Sequence, residues 1–318
     1  MAKVIDVINK STSPLFSFEL LPPLKGEGVN ALYQHIAPLM EFRPSFINVT
    51  YHREEYLYKE KQSGLLEKRI TRKRPGTVGI CSAIMNRYHV ETVPHIICGG
   101  FSKEETENAL IDLNFLGINN VMALRGDAIK TEGKFQAEPN GNNYAVDLIE
   151  QITKMNNGQY QDEDIKFAMK SDFCIGVAGY PEKHFESPNV QSDLKYLKMK
   201  VDRGAHYIVT QMFFDNRLYF DFVDRCRAID INVPIIPGLK PITNRRQLQI
   251  LPSAFHVDIP MELSEAIESC TSDQDVRKVG VEWCIEQARD LKIAGVPCLH
   301  FYSMGKSEAV ESVARAIF

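Results

Sequence analysis

One pattern repeats along this chain: a short apolar run, a segment with helical periodicity, a glycine, then another apolar run. Eight runs can be read, at Leu15–Leu21, Phe46–Tyr51, Val93–Cys98, Asn120–Leu124, Phe173–Ala178, Tyr207–Phe213, Pro234–Leu239 and Cys298–Ser303. Val78–Ile84 is a further candidate, which leaves the third unit open. Runs this short and this apolar read as strands buried on both faces. After Cys98, Ser102-x-x-Glu105 is a capping box, in which each side chain satisfies an orphan backbone N–H at a helix start. Ala109, Leu110, Leu113 and Leu116 follow at helical spacing, and Gly117 can close the helix in a left-handed conformation. Leu194, Leu197 and Val201 before Gly204 repeat the plan, as does Ser272-x-x-Asp275 with the apolar series ending at Gly295. Strand, helix, glycine, strand is the grammar of parallel βα units. Repeated through 318 residues, it predicts an α/β chain folded as one (β/α)8 TIM barrel over residues 1–318. A doubly wound open sheet is the alternative, but no GxGxxG follows the first run to support its dinucleotide-binding crevice.

Composition narrows the classes of function. The chain is 44% hydrophobic and 25% charged, as an ordinary globular protein is. A net charge of −4 argues against nucleic acid or an anionic membrane as partner. Seven scattered cysteines, an odd number without a CxxC, predict reduced and mostly buried thiols in a cytoplasmic protein. His95-x-x-Cys98 is too little for zinc, and no metal is expected. No apolar run is long enough to span a bilayer, so no membrane association is expected. The N-terminus, Ala2–Lys10, reads as a short amphipathic helix and not as a signal peptide. Lys68–Arg74 is strongly basic and reads as a solvated helix end. Ala128–Asn143 and Met155–Lys170 read as surface excursions.

In such a barrel the chemistry sits at the C-terminal ends of the strands. The residues expected there are Glu19, then Thr50-Tyr51-His52, then His95, Arg125 with Asp127, Tyr180-Pro-Glu-x-His184, Gln211 and Tyr302. Gly126, between Arg125 and Asp127, lets the backbone turn sharply or approach a ligand. Each polar residue also has an ordinary reading: Glu19 as an ion-pair partner, His95 as a hydrogen-bonded core histidine, the tyrosines as packing groups. Their convergence on one mouth is what favours a site. The set has no Ser/His/Asp order, no nucleophile elbow and no metal cluster. Aromatics, an arginine and a lysine with few nucleophiles suit a bound organic cofactor. Asp193 and Lys200, seven residues apart on one helix face, could hold a ribose and a phosphate, or could be solvated.

Taken together, Phe18-Glu19 with Pro22-Pro23, Val49-Thr50-Tyr51, Pro94-His95-x-x-Cys98, Ala123-Leu-Arg-Gly-Asp127, Val177-Ala178-x-Tyr180-Pro-Glu-x-His184 and Thr210-Gln211-x-Phe-Phe-Asp215 resemble methylenetetrahydrofolate reductase. Ile235-Ile-Pro-Gly238 with Pro241 and Asn244, and His300-Phe-Tyr302, extend the likeness along nearly the whole chain. The chain resembles the short bacterial form, a catalytic barrel without a regulatory domain. The resemblance implies a cytoplasmic flavoprotein of one-carbon and methionine metabolism. It would bind FAD and reduce 5,10-methylenetetrahydrofolate to 5-methyltetrahydrofolate with NADH or NADPH. It further implies ping-pong hydride transfer and a homo-oligomer.

By that resemblance FAD would contact Tyr51, His95, Arg125, Gly126, Asp127, Ala145, Tyr180, His184, Asp193 and Lys200, with Thr50 near the nicotinamide. Gln211 would serve nicotinamide and folate, Asp127 and Gln247 the pterin, Lys306 the folate, and Glu19 would be the general acid. The chain departs from the pattern at several positions. Tyr196 and Met199 stand where the best-known bacterial members have Asn and Arg, and His52-Arg53 replaces Gly-Ala. Lys306 replaces an Arg and Leu251 a Phe. The competing readings are a barrel methyltransferase passing a methyl group from methyltetrahydrofolate to a corrinoid protein, and a flavin- or folate-storing barrel without turnover.

Overall fold

The computed structural model describes residues 2–61, 63–129 and 133–318. Two strands come first, β1 (Leu15–Leu20) and β2 (Phe46–Val49). A hairpin of β3 (Glu55–Glu60) and β4 (Leu66–Thr71) interrupts the pattern. Then follow β5 (Glu91–Ile97), β6 (Asn120–Leu124), β7 (Cys174–Gly179), β8 (Tyr207–Met212), β9 (Ile235–Leu239) and β10 (Cys298–Tyr302). Leaving out the hairpin, eight strands pair in parallel in chain order, and β10 closes on β1 with Leu15 opposite Cys298 and Glu19 opposite Tyr302. This is the TIM barrel that the repeated pattern predicts, not the doubly wound open sheet.

The helices are α1 (Val4–Lys10), α2 (Val29–Met40), α3 (Thr77–Tyr88), α4 (Lys103–Phe115), α5 (Ala145–Asn156), α6 (Val190–Asp202), α7 (Asn216–Arg227), α8 (Gln247–Phe255), α9 (Met261–Glu268), α10 (Asp273–Ile293) and α11 (Glu308–Ile317). Their boundaries follow local chemistry. Ser102 and Glu105 form the expected capping box of α4, and the Ser272 side chain caps α10. Gly117 and Gly204, at φ +73° and +114°, carry the chain out of α4 and α6.

Strand alternation divides two cores. Phe16, Phe18 and Leu20 of β1 point outward into the layer between strands and helices, while Ser17 and Glu19 between them point to the barrel axis. The lower end of the axis is plugged by α1. Val4 and Ile8 pack with Phe46, Val93, Met122, Cys174, Tyr207, Ile236 and Cys298. Asn120 locks the plug, its Oδ1 accepting from Val4 N at 2.8 Å and its Nδ2 donating to Ala2 O at 3.1 Å. A helix of 7 residues would not persist alone; burial holds this one. Val4→Asp is therefore expected to cost about 3 kcal/mol in denaturant unfolding, whereas Lys10→Ala on the exposed side should stay within about 0.5 kcal/mol.

Two expectations are corrected. Val78–Ile84 is not a strand but lies in α3, because Ile80, Cys81, Ile84 and Met85 repeat at helical spacing and are buried together. Lys68–Arg74 is not a helix end: its first residues complete β4, paired antiparallel from Glu55 opposite Thr71 to Glu60 opposite Leu66. Charges on both strand faces hid the two-residue period, and cross-strand partners such as Lys59 and Glu67 use them.

The loop after α5 runs over the surface, where Tyr160 Oη donates to Met169 O. In the other expected excursion, residues 133–143 form neither helix nor strand, and 130–132 lie outside the described residues. All seven cysteines are free, and six are buried. Among the described residues no helix is long and apolar enough to cross a membrane.

Candidate active site

The strand ends open on a cavity of about 510 Å³. Glu19, Thr50, Tyr51, His95, Gly126, Asp127, Tyr180, Gln211 and Tyr302 all line it, each contributed by the C-terminal end of a strand or the residues just beyond. Ile97, Met122, Leu124, Ala178 and Val209 supply apolar wall, and Phe255 at the end of α8 and Met304 after β10 lie at its edge. Residues distant in sequence thus converge as the barrel reading requires. A groove of about 630 Å³ between α7 and α10 is lined by helix and loop residues and gathers none of this set.

Glu19 lines the cavity beside His95. Its side chain is 20% exposed, and that exposure is to the cavity. Burial raises its carboxyl from 4.5 to about 8. His95 Nε2 lies 3.5 Å from Glu19 Oε2. Burial first, and the neighbouring His52 second, lower His95 to about 3. The two therefore meet near neutral pH as a carboxylic acid and a neutral imidazole, not as an ion pair, because desolvation penalises both charged forms. An acid kept protonated with its oxygens open to a cavity is suited to give a proton to a bound ligand.

Below this pair the axis is more polar than the branched aliphatic filling usual for such barrels. Ser17 Oγ lies 2.8 Å from His300 Nδ1 and 3.1 Å from Cys298 Sγ, and Asn48 Nδ2 lies 3.5 Å from His95 Nε2. Asn48 Oδ1, His300 Nε2 and Tyr207 Oη are buried without a protein partner. Ser17 and Asn48 escaped the reading of strand ends because they lie one layer deeper. The usable signal was a polar residue two positions before a candidate: Ser17 before Glu19, Asn48 before Thr50.

The loop after β7 builds a second, basic part. Tyr180 packs edge-on to His184 with ring centroids 4.7 Å apart. Arg125 donates to Glu186. Asp193 accepts from Ser187 Oγ at 2.8 Å and His184 N at 3.3 Å, joining the loop to α6. Lys200 Nζ donates to Ala178 O at 3.1 Å, and burial lowers the ammonium to about 8. Arg125 lies close enough to lower the Lys200 ammonium further, against the opposing pull of Asp193.

Not every expected residue reaches the cavity wall. Arg125, His184, Asp193 and Lys200 stand behind Tyr180 in this rim. Ala145 is buried at the start of α5. Gln247 is turned to its own loop, accepting from Thr243 N at 2.7 Å. Lys306 is exposed in the turn after β10. Gln211 lines the cavity with its Oε1 turned back to Met212 N at 3.0 Å, which leaves its amide nitrogen for a ligand.

The sequence model of the family described as methylenetetrahydrofolate reductase matches residues 3–317. The 5,10-methylenetetrahydrofolate reductase of Escherichia coli is 30% identical over 318 residues, covering 98% of this chain and 95% of that protein. Methylenetetrahydrofolate reductase 1 of Schizosaccharomyces pombe is 34% identical over 300 residues, covering 94% of this chain and 45% of its own length. The chain thus spans about half the length of that relative and of the Arabidopsis thaliana one. Among solved structures, an uncharacterized protein from Clostridium thermocellum that binds two copies of 5-methyl-5,6,7,8-tetrahydrofolic acid superposes with a TM-score of 0.60. It is 15% identical, with 98% of this chain and 96% of that chain covered, a likeness of fold.

Proposed function

The chain belongs to the methylenetetrahydrofolate reductase family, and from that premise we propose that it reduces 5,10-methylenetetrahydrofolate to 5-methyltetrahydrofolate with NADH or NADPH through a bound FAD. The observation that carries the reading is a largely buried Glu19, its carboxyl pushed up by desolvation, facing a cavity that also presents Thr50, Asp127 and Gln211.

The residues fit a flavin dinucleotide. The cavity volume is in the range of ligand sites. Its apolar and tyrosine-bearing walls suit a flat ring, with Asp127 and Gln211 at hand for polar edges. Behind Tyr180, Arg125 and Lys200 are neighbouring cations that would suit an anion, Arg125 at present being held by Glu186. Arg125, Lys200 and His184 would hold the diphosphate end, and Tyr51, His95, Gly126, Asp127 and Tyr180 the ring. Asp193 orients His184, and Ala145 would add backbone contact. Bound there, the flavin would carry hydride from the nicotinamide to the folate.

The chain's own chemistry is acid catalysis. Opening the five-membered ring of the substrate requires a proton at N10, and Glu19 would donate it. Asp127 would accept N–H bonds from the pterin, with Gln247 and Lys306 reaching the folate once their loops adjust. A single cavity serving both ligands requires the donor to leave before folate enters, so initial rates should give the parallel lines of a ping-pong scheme.

The test is spectroscopic and anaerobic. The purified protein should be yellow, bleach with NADH or NADPH, and recolour with methylenetetrahydrofolate. A colourless protein that cannot be reconstituted would refute the reading. The pH dependence has a defined sign. Glu19 must be protonated, so the folate step should hold a plateau at lower pH and fall tenfold per unit above about 8. A step rate that rises through pH 8 would rule Glu19 out as the acid.

A further inference from the structure

The hairpin β3–β4 is inserted between β2 and α3, at the rim of the cavity. Two sets of its cations differ in their partners. Lys73 pairs with Glu55, and Arg69 and Lys61 pair with Glu67. Arg72 and Arg74 instead reach Tyr51 and the loop after β1, and make no ion pair with a carboxylate among the described residues. Arg72 Nη2 donates to Tyr51 Oη at 3.0 Å, and its guanidinium lies 5.5 Å from the centre of that ring. Its Nε is buried without a partner. Arg74 donates to Pro22 O and lies close enough to His52 to help lower its pKa, after burial. Tyr51 and His52 both line the cavity.

The placement is built. Lys25 N donates to Lys73 O at 2.8 Å, stitching the end of the hairpin to the loop after β1. Gly76 leaves room for the guanidinium, since a Cβ there would lie 2.9 Å from Arg72 Nη2. Hydrogen bonds to a phenol and a carbonyl leave both guanidiniums positively charged. Planar forks with spare donors match the geometry of phosphate and carboxylate.

We infer that Arg72 and Arg74 form an oxyanion site at the cavity mouth that binds the charged end of a substrate. This inference deepens the proposed function and rests on it for the identity of the ligand. The shared chemistry is a multiply charged oxyanion, either a phosphate of the nicotinamide dinucleotide or the carboxylates of a folate glutamate tail.

The probe is inorganic pyrophosphate, titrated into the purified protein by calorimetry. Arg72→Met and Arg74→Met are each expected to weaken binding about tenfold or more, while Arg69→Met, on the same hairpin but paired with Glu67, should change it little. Equal affinity in all four proteins, or an equal loss in Arg69→Met, overturns the site. Should the methionine variants not fold, Arg72→Lys and Arg74→Lys serve. They keep the charge but lose the fork, and should weaken binding several-fold; unchanged affinity in both overturns the site. Two kinetic arms separate the sources. A KM rise for NADH or NADPH assigns the phosphate, and a rise confined to triglutamyl over monoglutamyl folate assigns the tail. No rise in either overturns the site. The titration needs no turnover, so a protein whose flavin does not respond to donor and folate would refute the proposed function while the rim is still read separately.

Discussion

Glu19→Gln is expected to slow folate reduction about a thousandfold while flavin reduction by NADH or NADPH continues, since general acid catalysis contributes about 10²–10⁴. The amide nearly matches the carboxylic acid in shape and can still meet His95 Nε2, 3.5 Å from the present carboxyl, but it has no proton to give to N10. The break in the pH profile near 8 should vanish with it. Stability supplies an independent check. A carboxyl raised from 4.5 to about 8 on folding binds a proton that the unfolded chain has already lost, so its contribution is complete below 4.5 and falls away up to 8. Glu19→Gln should therefore gain thermal stability relative to the parent protein as pH rises through that window. Stopped-flow measurement of the two half-reactions decides the matter: equal loss in both would make Glu19 a structural residue.

Gly280→Ala should lower stability by about 3 kcal/mol or more, at the upper end of overpacking costs. On an isolated helix the same change would stabilise by roughly 1 kcal/mol. The reversal comes from packing. A Cβ on Gly280 would lie 2.0 Å from Ile242 O and 2.9 Å from Ile242 N, both backbone atoms. Helix α10 would have to lift off the segment after β9, disturbing the packing of Ile242 with Leu251 and Met212 beneath the cavity edge. Chemical denaturation measures the loss. A melting point at or above that of the parent protein would show that α10 can move away at little cost.

The fold was legible because it is repetitive. The barrel strands, buried on both faces, are mostly apolar, and α4 and α10 carry side-chain caps and glycine exits, so Ser102, Gly117, Ser272 and Gly295 could be read in place. The strand-end rule then located Glu19, His95, Asp127, Tyr180 and Gln211 without coordinates. The hairpin was not legible. Leu66 and Ile70 of β4 are largely exposed, so no alternation of buried apolar and charged residues marked that strand. Arg125 was read at a strand end and Asp193 and Lys200 on a helix face; that they meet through Glu186, Ser187 and Ala178 depends on how the loop after β7 folds back.

The order of residues by itself determined the barrel, its chain direction and the end at which polar side chains collect, because periodicity and capping act between neighbours. Only the tertiary structure decided that Glu19 stays protonated, that His95 stays neutral beside it, and that Arg72 comes to lie against Tyr51. Those properties arise from desolvation and from the meeting of residues far apart in the chain, and no local pattern encodes either.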